Sequence, residues 1–251
     1  MEQSGTVEKA SDLLFFLSAQ RAACGVSEIA LALDLPKSSV HRLLQSLRHR
    51  HLIERDGKGR YRLGAGCIAL GLGAAEQDAL VREVRPVLEQ QARSVGETYF
   101  LVAARARVLT VLDKAEGSSF LRASPQIGAS VPVHATAVGK VYLAFAPELV
   151  ELADEPLDVY TPRTARDRQR LRRMVLETRA AGYAHSADEW LLGLSAVAAP
   201  ILAGGRVLGV IVAALASARM KELGVPRIAA SVVDAAGRVS STLAGRAEGA
   251  A

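Results

Sequence analysis

The segment spanning residues 26–63 constrains the fold more than any other part of this chain. Ile29 and Leu33 lie one helical turn apart, which predicts a short helix with Ser27 as its N-cap. That helix must end before Pro36, because the residue preceding a proline disfavours helical backbone angles. Pro36 can instead stand in the first turn of a following helix, where its missing N–H is not needed. The pattern therefore predicts two helices joined by a tight turn.

The helix after Pro36 is predicted to have one buried stripe and one polar face. Its stripe consists of four apolar residues at i, i+3, i+4 and i+7 spacing: Val40, Leu43, Leu44 and Leu47. Residues 8–18 predict another helix upstream, and residues 52–55 and 60–63 predict two short strands around a glycine-containing turn. Three helices followed by a hairpin are the plan of a winged helix-turn-helix, with the hairpin as the wing.

The polar face and the hairpin are strongly basic. Residues 37–62 contain eight Lys and Arg side chains but only Glu54 and Asp56 as acids. Arg and Lys bind guanine edges or phosphates, Gln pairs with adenine, and Ser hydroxyls suit phosphate oxygens. A solvated helix face beside an exposed hairpin is the alternative interpretation. We expect binding to double-stranded DNA through a set of surface residues: Ser27, Lys37, Ser38, Ser39, His41, Arg42, Gln45, Arg48, Lys58 and Arg60.

The composition limits the number of domains, the kind of partner and the cellular compartment that can be expected. The chain has 251 residues, half of them apolar, and a net charge of +5, which predicts one or two domains and favours an anionic partner. Cys24 and Cys67 lack metal-type or redox-type neighbours, and the polar N-terminus does not match a signal peptide. The apolar run at 207–216 is about half as long as a membrane span. We therefore expect a cytoplasmic protein without metal, cofactor or membrane anchor.

Two glycine motifs resemble nucleotide-binding signatures but lack the required context. Residues 64–69 match G-x-G-x-x-A, yet the preceding strand belongs to a short antiparallel hairpin and not to a βαβ unit. We interpret residues 65–79 as a linker helix. Gly139 and Lys140 do not form a phosphate-binding loop, because His134 replaces the first glycine and Val141 replaces the magnesium-binding Ser or Thr.

The remaining two thirds of the chain predict an α+β domain. Helices are expected at residues 82–95, within 132–146, at 167–181 and at 226–243, and strands at 98–104, 108–113, 120–123, 195–202 and 206–216. Residues 164–167 resemble a capping box before the third of these helices. Mostly antiparallel strands beside helices are typical of α+β folds. The seven arginines within 163–179 are interpreted as a solvated face, with a second DNA site or a tetramer contact as alternatives.

Several side chains in this domain could support catalysis, but no catalytic motif accompanies them. The sequence contains neither G-x-S-x-G nor H-E-x-x-H, and its five histidines do not have the spacing of a zinc site. We therefore expect no enzymatic activity. A small-molecule-processing enzyme domain fused to a DNA-binding module is one alternative, and an architectural DNA-binding protein without a ligand is another. The candidates for catalysis would be His134, His185, Ser186, Asp188, Glu189 and Ser195.

Three segments together resemble the IclR family of bacterial transcription regulators. They are LDLPKSSVHRLLQSLRHRHLIERDGKGRYRLG at 33–64, VPVHATAVGKVYLAFAP at 131–147 and GYAHSADEWLLGLSAVAAPILAGGRVLGVIVAALA at 182–216. The resemblance implies a winged helix-turn-helix over residues 1–64, a linker helix over 65–80 and a GAF-like effector-binding domain over 81–251. It also implies a homodimer or a dimer of dimers, whose operator binding responds to a small organic effector, often a carboxylate, with repression favoured over activation.

The same resemblance implies an effector pocket in the second domain. The N-terminus of the helix near residues 135–139 could offer free backbone N–H groups to a carboxylate. Residues 137 and 138 are bulkier here than in relatives with glycine, and Ala196 stands where a cysteine can occur, so the pocket is more apolar. These departures argue against a glyoxylate-like ligand and leave a larger or aromatic acid as an equal alternative. Ordinary core packing is the alternative for each position. The residues carried over are Phe120, Ala123, Val131, Ala137, Val138, Ser186, Asp188, Glu189, Ser195 and Ala196.

Overall fold

The computed structural model describes residues 5–120, 122–123, 125–154 and 156–248. The chain divides into two compact units, Met1–Asp78 and Ala79–Ala251. The first unit is helical with one small antiparallel hairpin. Its elements are α1 (Thr6–Ala19), α2 (Val26–Ala32), α3 (Lys37–His49), β1 (Ile53–Arg55), β2 (Tyr61–Leu63) and α4 (Ala65–Gln77).

The core of the first unit confirms the predicted helix-turn-helix with its wing. The four-residue stripe of α3 is buried, and Leu44 packs in one apolar cluster with Leu13 of α1 and Ile29 of α2. Strand β1 pairs antiparallel with β2, and Ile53 of β1 closes the cluster from the hairpin side. The packing leaves the polar face of α3 outside the core, because apolar residues at helical spacing share one side of the helix.

Two local predictions for the first unit are wrong. Ser27 does not cap α2, since the N-cap is Gly25 and the Glu28 carboxylate accepts a hydrogen bond from the Gly25 N–H at 2.7 Å. The carboxylate at the third helical position therefore satisfies the N–H of the N-cap residue, which is the role of an acidic residue there in a capping box. Pro36 stands at the N-cap of α3 and not inside its first turn.

The second unit contains a five-stranded antiparallel sheet with strand order β4-β3-β7-β6-β5. Its strands are β3 (Thr98–Arg105), β4 (Val108–Ala115), β5 (Ala184–Ala187), β6 (Leu194–Ala203) and β7 (Arg206–Ala216). Its helices are α5 (Ala79–Val95), α6 (Ala137–Phe145), α7 (Arg168–Ala181), α8 (Ser217–Leu223) and α9 (Val225–Glu248), with a short 3₁₀ turn at Pro147–Leu149. The predicted α+β class is confirmed.

The two faces of this sheet are covered by different helices. Helices α5 and α9 cover one face, where the Tyr99 hydroxyl lies 2.7 Å from that of Ser231 on α9. Helix α6 packs on the other face against Phe100 and Val212, and α7 packs on α6. Because successive strand residues alternate between faces, Tyr99 and Phe100 belong to different layers.

Several predictions for the second unit differ from the structure. The capping box at 164–167 is wrong, because Asp167 is the N-cap of α7 and accepts from the Arg170 N–H at 2.7 Å. The Thr164 hydroxyl instead donates to the backbone oxygen of Glu189. The expected strand at 120–123 includes residue 121, which lies outside the described residues, and Arg122 forms only an isolated bridge with Leu215. Strand β5 and helix α8 were not predicted from the sequence pattern.

Glycine at position 139 is required by the packing of α6, and this generates a stability prediction. A Cβ at Gly139 would lie 1.7 Å from the backbone oxygen of Val133, whereas a Cβ at Gly237 in α9 would contact nothing within 4 Å. We expect Gly139→Ala to destabilise the second unit by about 3 kcal/mol or more, since backbone cannot yield as a side chain can. Gly237→Ala should stabilise it by up to about 1 kcal/mol. Urea unfolding would measure both, and equal effects would contradict the packing.

Candidate functional site

The outward face of α3 presents cations that are not neutralised within the first unit. Helix α3 contains no acidic residue, and its predicted DNA-binding side chains are exposed except for Ser39, which is half-buried. Lys37, Arg42 and Arg48 form no ion pair with any residue that the structure describes. The buried stripe fixes the helix orientation, so this face is held outward on a packed scaffold.

Of the two wing cations that are predicted to contact DNA, Lys58 is available and Arg60 is already paired. At its tip the Asp56 carboxylate accepts hydrogen bonds from the backbone N–H groups of Arg60 and Lys58, which lower the pKa of Asp56. The Arg60 guanidinium lies 3.1 Å from the Glu28 carboxylate and so ties the wing to α2. The Lys58 ammonium has no such partner in the described part of the chain. Ser27 is exposed beside Glu28.

The second unit encloses a cavity of about 50 Å³, here called the inner cavity, between the sheet and the start of α6. Its floor consists of small side chains on three neighbouring strands, because Ser186 is registered with Ala196 and Ala196 with Ala214. The small residues leave space that larger side chains would fill. The full lining comprises Phe100, Val131, Ala135, Thr136, Ala137, Val138, Ser186, Glu189, Trp190, Leu191, Leu194, Ala196, Val212 and Ala214.

Hydrogen-bond donors converge on this largely apolar cavity. Ser186 is only 8% exposed, and among the described residues its hydroxyl has no hydrogen-bond partner. Thr136 caps α6 by accepting from the Gly139 N–H at 3.1 Å. The backbone N–H groups of Ala137 and Val138 precede that bond and find no acceptor within the described ranges, as expected in a first helical turn. Together these groups can receive an anion at the positive end of the helix dipole.

A buried ion pair involves Glu189, which lines the inner cavity, and Lys140, which lies behind it. The Lys140 ammonium donates to the two Glu189 carboxylate oxygens at 2.8 and 3.0 Å and to the His185 backbone oxygen at 2.6 Å. Lys140 is 1% exposed, and burial lowers its pKa against the opposing effect of Glu189. The pair joins α6, β5 and the segment after β5, and it neutralises the carboxylate that faces the cavity.

Asp188 and Ser195 lie on the other side of the sheet edge, away from the inner cavity. They line a separate groove, where the Ser217 hydroxyl donates to the Asp188 carboxylate at 2.7 Å and lies 2.9 Å from the Ser195 hydroxyl. The hydrogen bond from Ser217 lowers the pKa of Asp188. Burial, followed by the charge of Lys140, lowers the pKa of His185, whose Nε2 atom is buried without a hydrogen-bond partner in the described structure. His185 also lines this groove, but its imidazole forms no hydrogen bond with the Ser195 or Ser217 hydroxyl in the described part of the unit.

The predicted effector residues thus fall into separate groups. Ala123 is half-buried and packs against the core beside the cavity, Phe120 is 99% exposed, and Asp188 and Ser195 line the groove on the opposite face. The pattern did not single out Trp190, Phe100, Val212 or Ala214, although strand alternation places the last two on one face. The six carried-over residues that line the inner cavity are Val131, Ala137, Val138, Ser186, Glu189 and Ala196.

A winged helix-turn-helix with an unneutralised basic face, together with an α+β unit that contains a small cavity lined by hydrogen-bond donors, defines a DNA-binding regulator with a sensor domain. Residues 73–241 match the model described as "Bacterial transcriptional regulator IclR C-terminal", and residues 6–57 match the "IclR helix-turn-helix domain". The chain belongs to the IclR family of transcriptional regulators.

Individual relatives agree with this assignment. The chain is 31% identical over 248 residues to the glycerol operon regulatory protein of Streptomyces coelicolor, covering 96% of this chain and 97% of the relative. It is 28% identical over 195 residues to the transcriptional repressor IclR of Escherichia coli, covering 75% and 71%. The crystal structure of an IclR transcriptional regulator from Alicyclobacillus acidocaldarius superposes with a TM-score of 0.78 at 27% identity, covering 94% and 97%.

Two absences hold for the residues that the structure describes. Within them, no helix combines the length and the apolar character needed to cross a bilayer. They also contain no group of three or more His, Cys, Asp or Glu side chains arranged to hold a metal ion.

The buried ion pair generates a second stability prediction. Lys140→Met leaves the Glu189 carboxylate buried without its partner, so we expect a loss of about 3–5 kcal/mol in the free energy of unfolding of the second unit. The double variant Lys140→Met with Glu189→Leu should recover most of that loss, because no buried charge remains. Lys221→Met, at an exposed position, should change stability by less than about 0.5 kcal/mol. Urea unfolding would measure all three, and a neutral Lys140→Met would contradict the account.

Proposed function

We propose that this regulator is a cytoplasmic repressor whose operator binding is controlled by a small carboxylate in the inner cavity. Residues 1–64 would serve as the DNA-binding domain, 65–80 as a linker and 81–251 as the effector domain. The observation that carries the proposal is the convergence of Ser186 and the N-terminus of α6 on a small, largely apolar cavity. Repression is favoured because the related Escherichia coli protein is a named repressor.

The proposed DNA contact is the outward face of α3, placed in the major groove. Residues in the first half of a recognition helix are those that reach base edges, which selects Ser39 and Arg42 for readout. Arg48 at the other end of the helix, and Lys58 on the wing, would contact the phosphate backbone. Arg60 is a weaker candidate than its charge suggests, since it would have to give up its ion pair with Glu28.

The proposed effector position follows from the charges around the inner cavity. Glu189 is the acidic residue in its lining, and Lys140 already neutralises it. The unpartnered polar groups beside it include donors, namely the Ser186 hydroxyl and the N–H groups of Ala137 and Val138. A carboxylate would satisfy these donors, whereas a cation would meet only partial positive charge. The apolar floor would receive a short carbon chain.

A homodimer is proposed from the surface of α4. No residue of this helix is buried within the first unit, and three large apolar side chains along it are each more than half exposed: Ile68, Leu70 and Leu72. A helix that is apolar around most of its surface needs a partner to cover it. A second copy of α4 would do so, and it would also present two recognition helices to successive half-sites.

The rival function as an enzyme receives no support from the arrangement of candidate groups. The Ser217 hydroxyl donates to the Asp188 carboxylate and the Ser195 hydroxyl contacts that of Ser217, so neither is hydrogen-bonded to an imidazole that could act as its base. We therefore propose binding without turnover. Chemical conversion of a bound carboxylate by the purified protein would contradict this part of the proposal.

Replacing Ser39 and Arg42 together by alanine should abolish selective binding to an operator fragment enriched from random DNA. Both side chains lie on the first half of α3, outside its buried stripe, so the fold should be retained. Lys58→Ala should instead weaken binding to all sequences and reduce the salt slope by about one. Gel-shift titrations at several salt concentrations would measure both effects. Retained selectivity in the double variant would contradict the recognition-helix assignment.

Ser186→Ala should weaken binding of a short carboxylate such as propionate by about tenfold, the worth of one lost hydrogen bond to a charged group. Ser195→Ala is the matched control, since Ser195 lies on the opposite face of the sheet and should leave the affinity unchanged. Isothermal calorimetry on the full chain would measure both. Equal losses in the two variants would contradict the assigned position of the carboxylate.

A further inference from the structure

Two spaces of very different size meet at Trp190. The inner cavity has a volume of about 50 Å³, and a more open groove of about 480 Å³, here called the outer groove, lies beside it. Trp190 and Val131 are the residues that line both. The outer groove also includes His134 and Tyr160, whose rings stack with centroids 5.5 Å apart.

The volumes decide which ligands each space can hold. An apolar cavity of about 150 Å³ admits benzene, so an inner cavity of one third that size excludes an aromatic ring. Such a small space suits a carboxylate with a very short chain and no ring. The outer groove is large enough for a ring and offers aromatic walls on which a ring can stack.

The indole of Trp190 stands on a firmly held segment. The Thr161 hydroxyl donates to the Asp188 backbone oxygen and the Thr164 hydroxyl to the Glu189 backbone oxygen, each at 2.6 Å. At the other end, the Gly193 N–H donates to the Asp188 carboxylate at 2.8 Å. These bonds fix the backbone on both sides of Trp190, so widening the inner cavity would require breaking them or rotating the indole.

We propose that Trp190 is the residue that determines effector size, because it separates the inner cavity from the outer groove. With the indole in place, the site selects short carboxylates and rejects aryl carboxylates. Without it, the two spaces join, and an aryl carboxylate binds with its carboxylate at Ser186 and its ring between Tyr160 and the sheet. This inference rests on the proposed carboxylate site and names its specificity.

The test compares propionate with benzoate on the full chain by isothermal calorimetry. The wild-type protein should bind propionate about tenfold or more tightly than benzoate, and Trp190→Ala should reverse that preference. Trp190→Phe keeps a ring at the boundary and should retain the wild-type order. Leu192→Ala is the matched control, because Leu192 is exposed on the same segment and lines neither space. Thermal unfolding would verify that each variant is folded.

The outcomes separate this inference from the proposed function. An unchanged preference in Trp190→Ala, or a wild-type preference for benzoate, contradicts the role of Trp190 while leaving the carboxylate site in place. Binding of neither acid to either protein contradicts both. Trp190 is the one tryptophan of the chain, so wild-type fluorescence gives a second measurement that needs no variant. Saturation with propionate should change its emission, and constant emission at saturation would contradict a position beside the ligand.

Discussion

The buried ion pair between Lys140 and Glu189 is the interaction on which the sensor unit depends. It links the first turns of α6 to β5 and to the segment that carries Trp190, which are three walls of the inner cavity. Two buried charges are costly unless they are paired, so the pair holds these walls at a fixed separation. It also neutralises the acidic residue facing the cavity, which allows the donors there to receive an anion.

The DNA-binding unit relies on a different constraint, the orientation of α3 by its buried stripe. Because Leu44 and its apolar neighbours on α3 pack into the core, the basic side chains on the opposite side of this helix project into solvent. Charge alone would not identify the contact surface, because Arg60 is as basic as Lys58 yet is held by Glu28. The useful distinction is between cations that stabilise the wing and cations that remain available to phosphate.

The sequence predicts best those features that depend on residues close together along the chain. The stripe of α3, the wing and the hairpins of the sheet follow from helical and strand periodicity. The local pattern predicts Thr164 as a helix cap, but the partner of its hydroxyl lies 25 residues further on, at Glu189. Asp188 and Ser195 were grouped with Ser186 by family resemblance, and strand alternation would have separated Ser195 from its neighbour Ala196. The position of Trp190 between two spaces depends on tertiary packing and has no local signal.

The central claim is that the inner cavity and the α3 face act as one switch. Linkage tests it most directly: the affinity of the full chain for an enriched operator fragment is measured with and without saturating propionate. The account predicts a change of about fivefold or more, and a change of the same factor in propionate affinity when the operator is bound. If both ligands bind and neither alters the affinity for the other, the claim is contradicted.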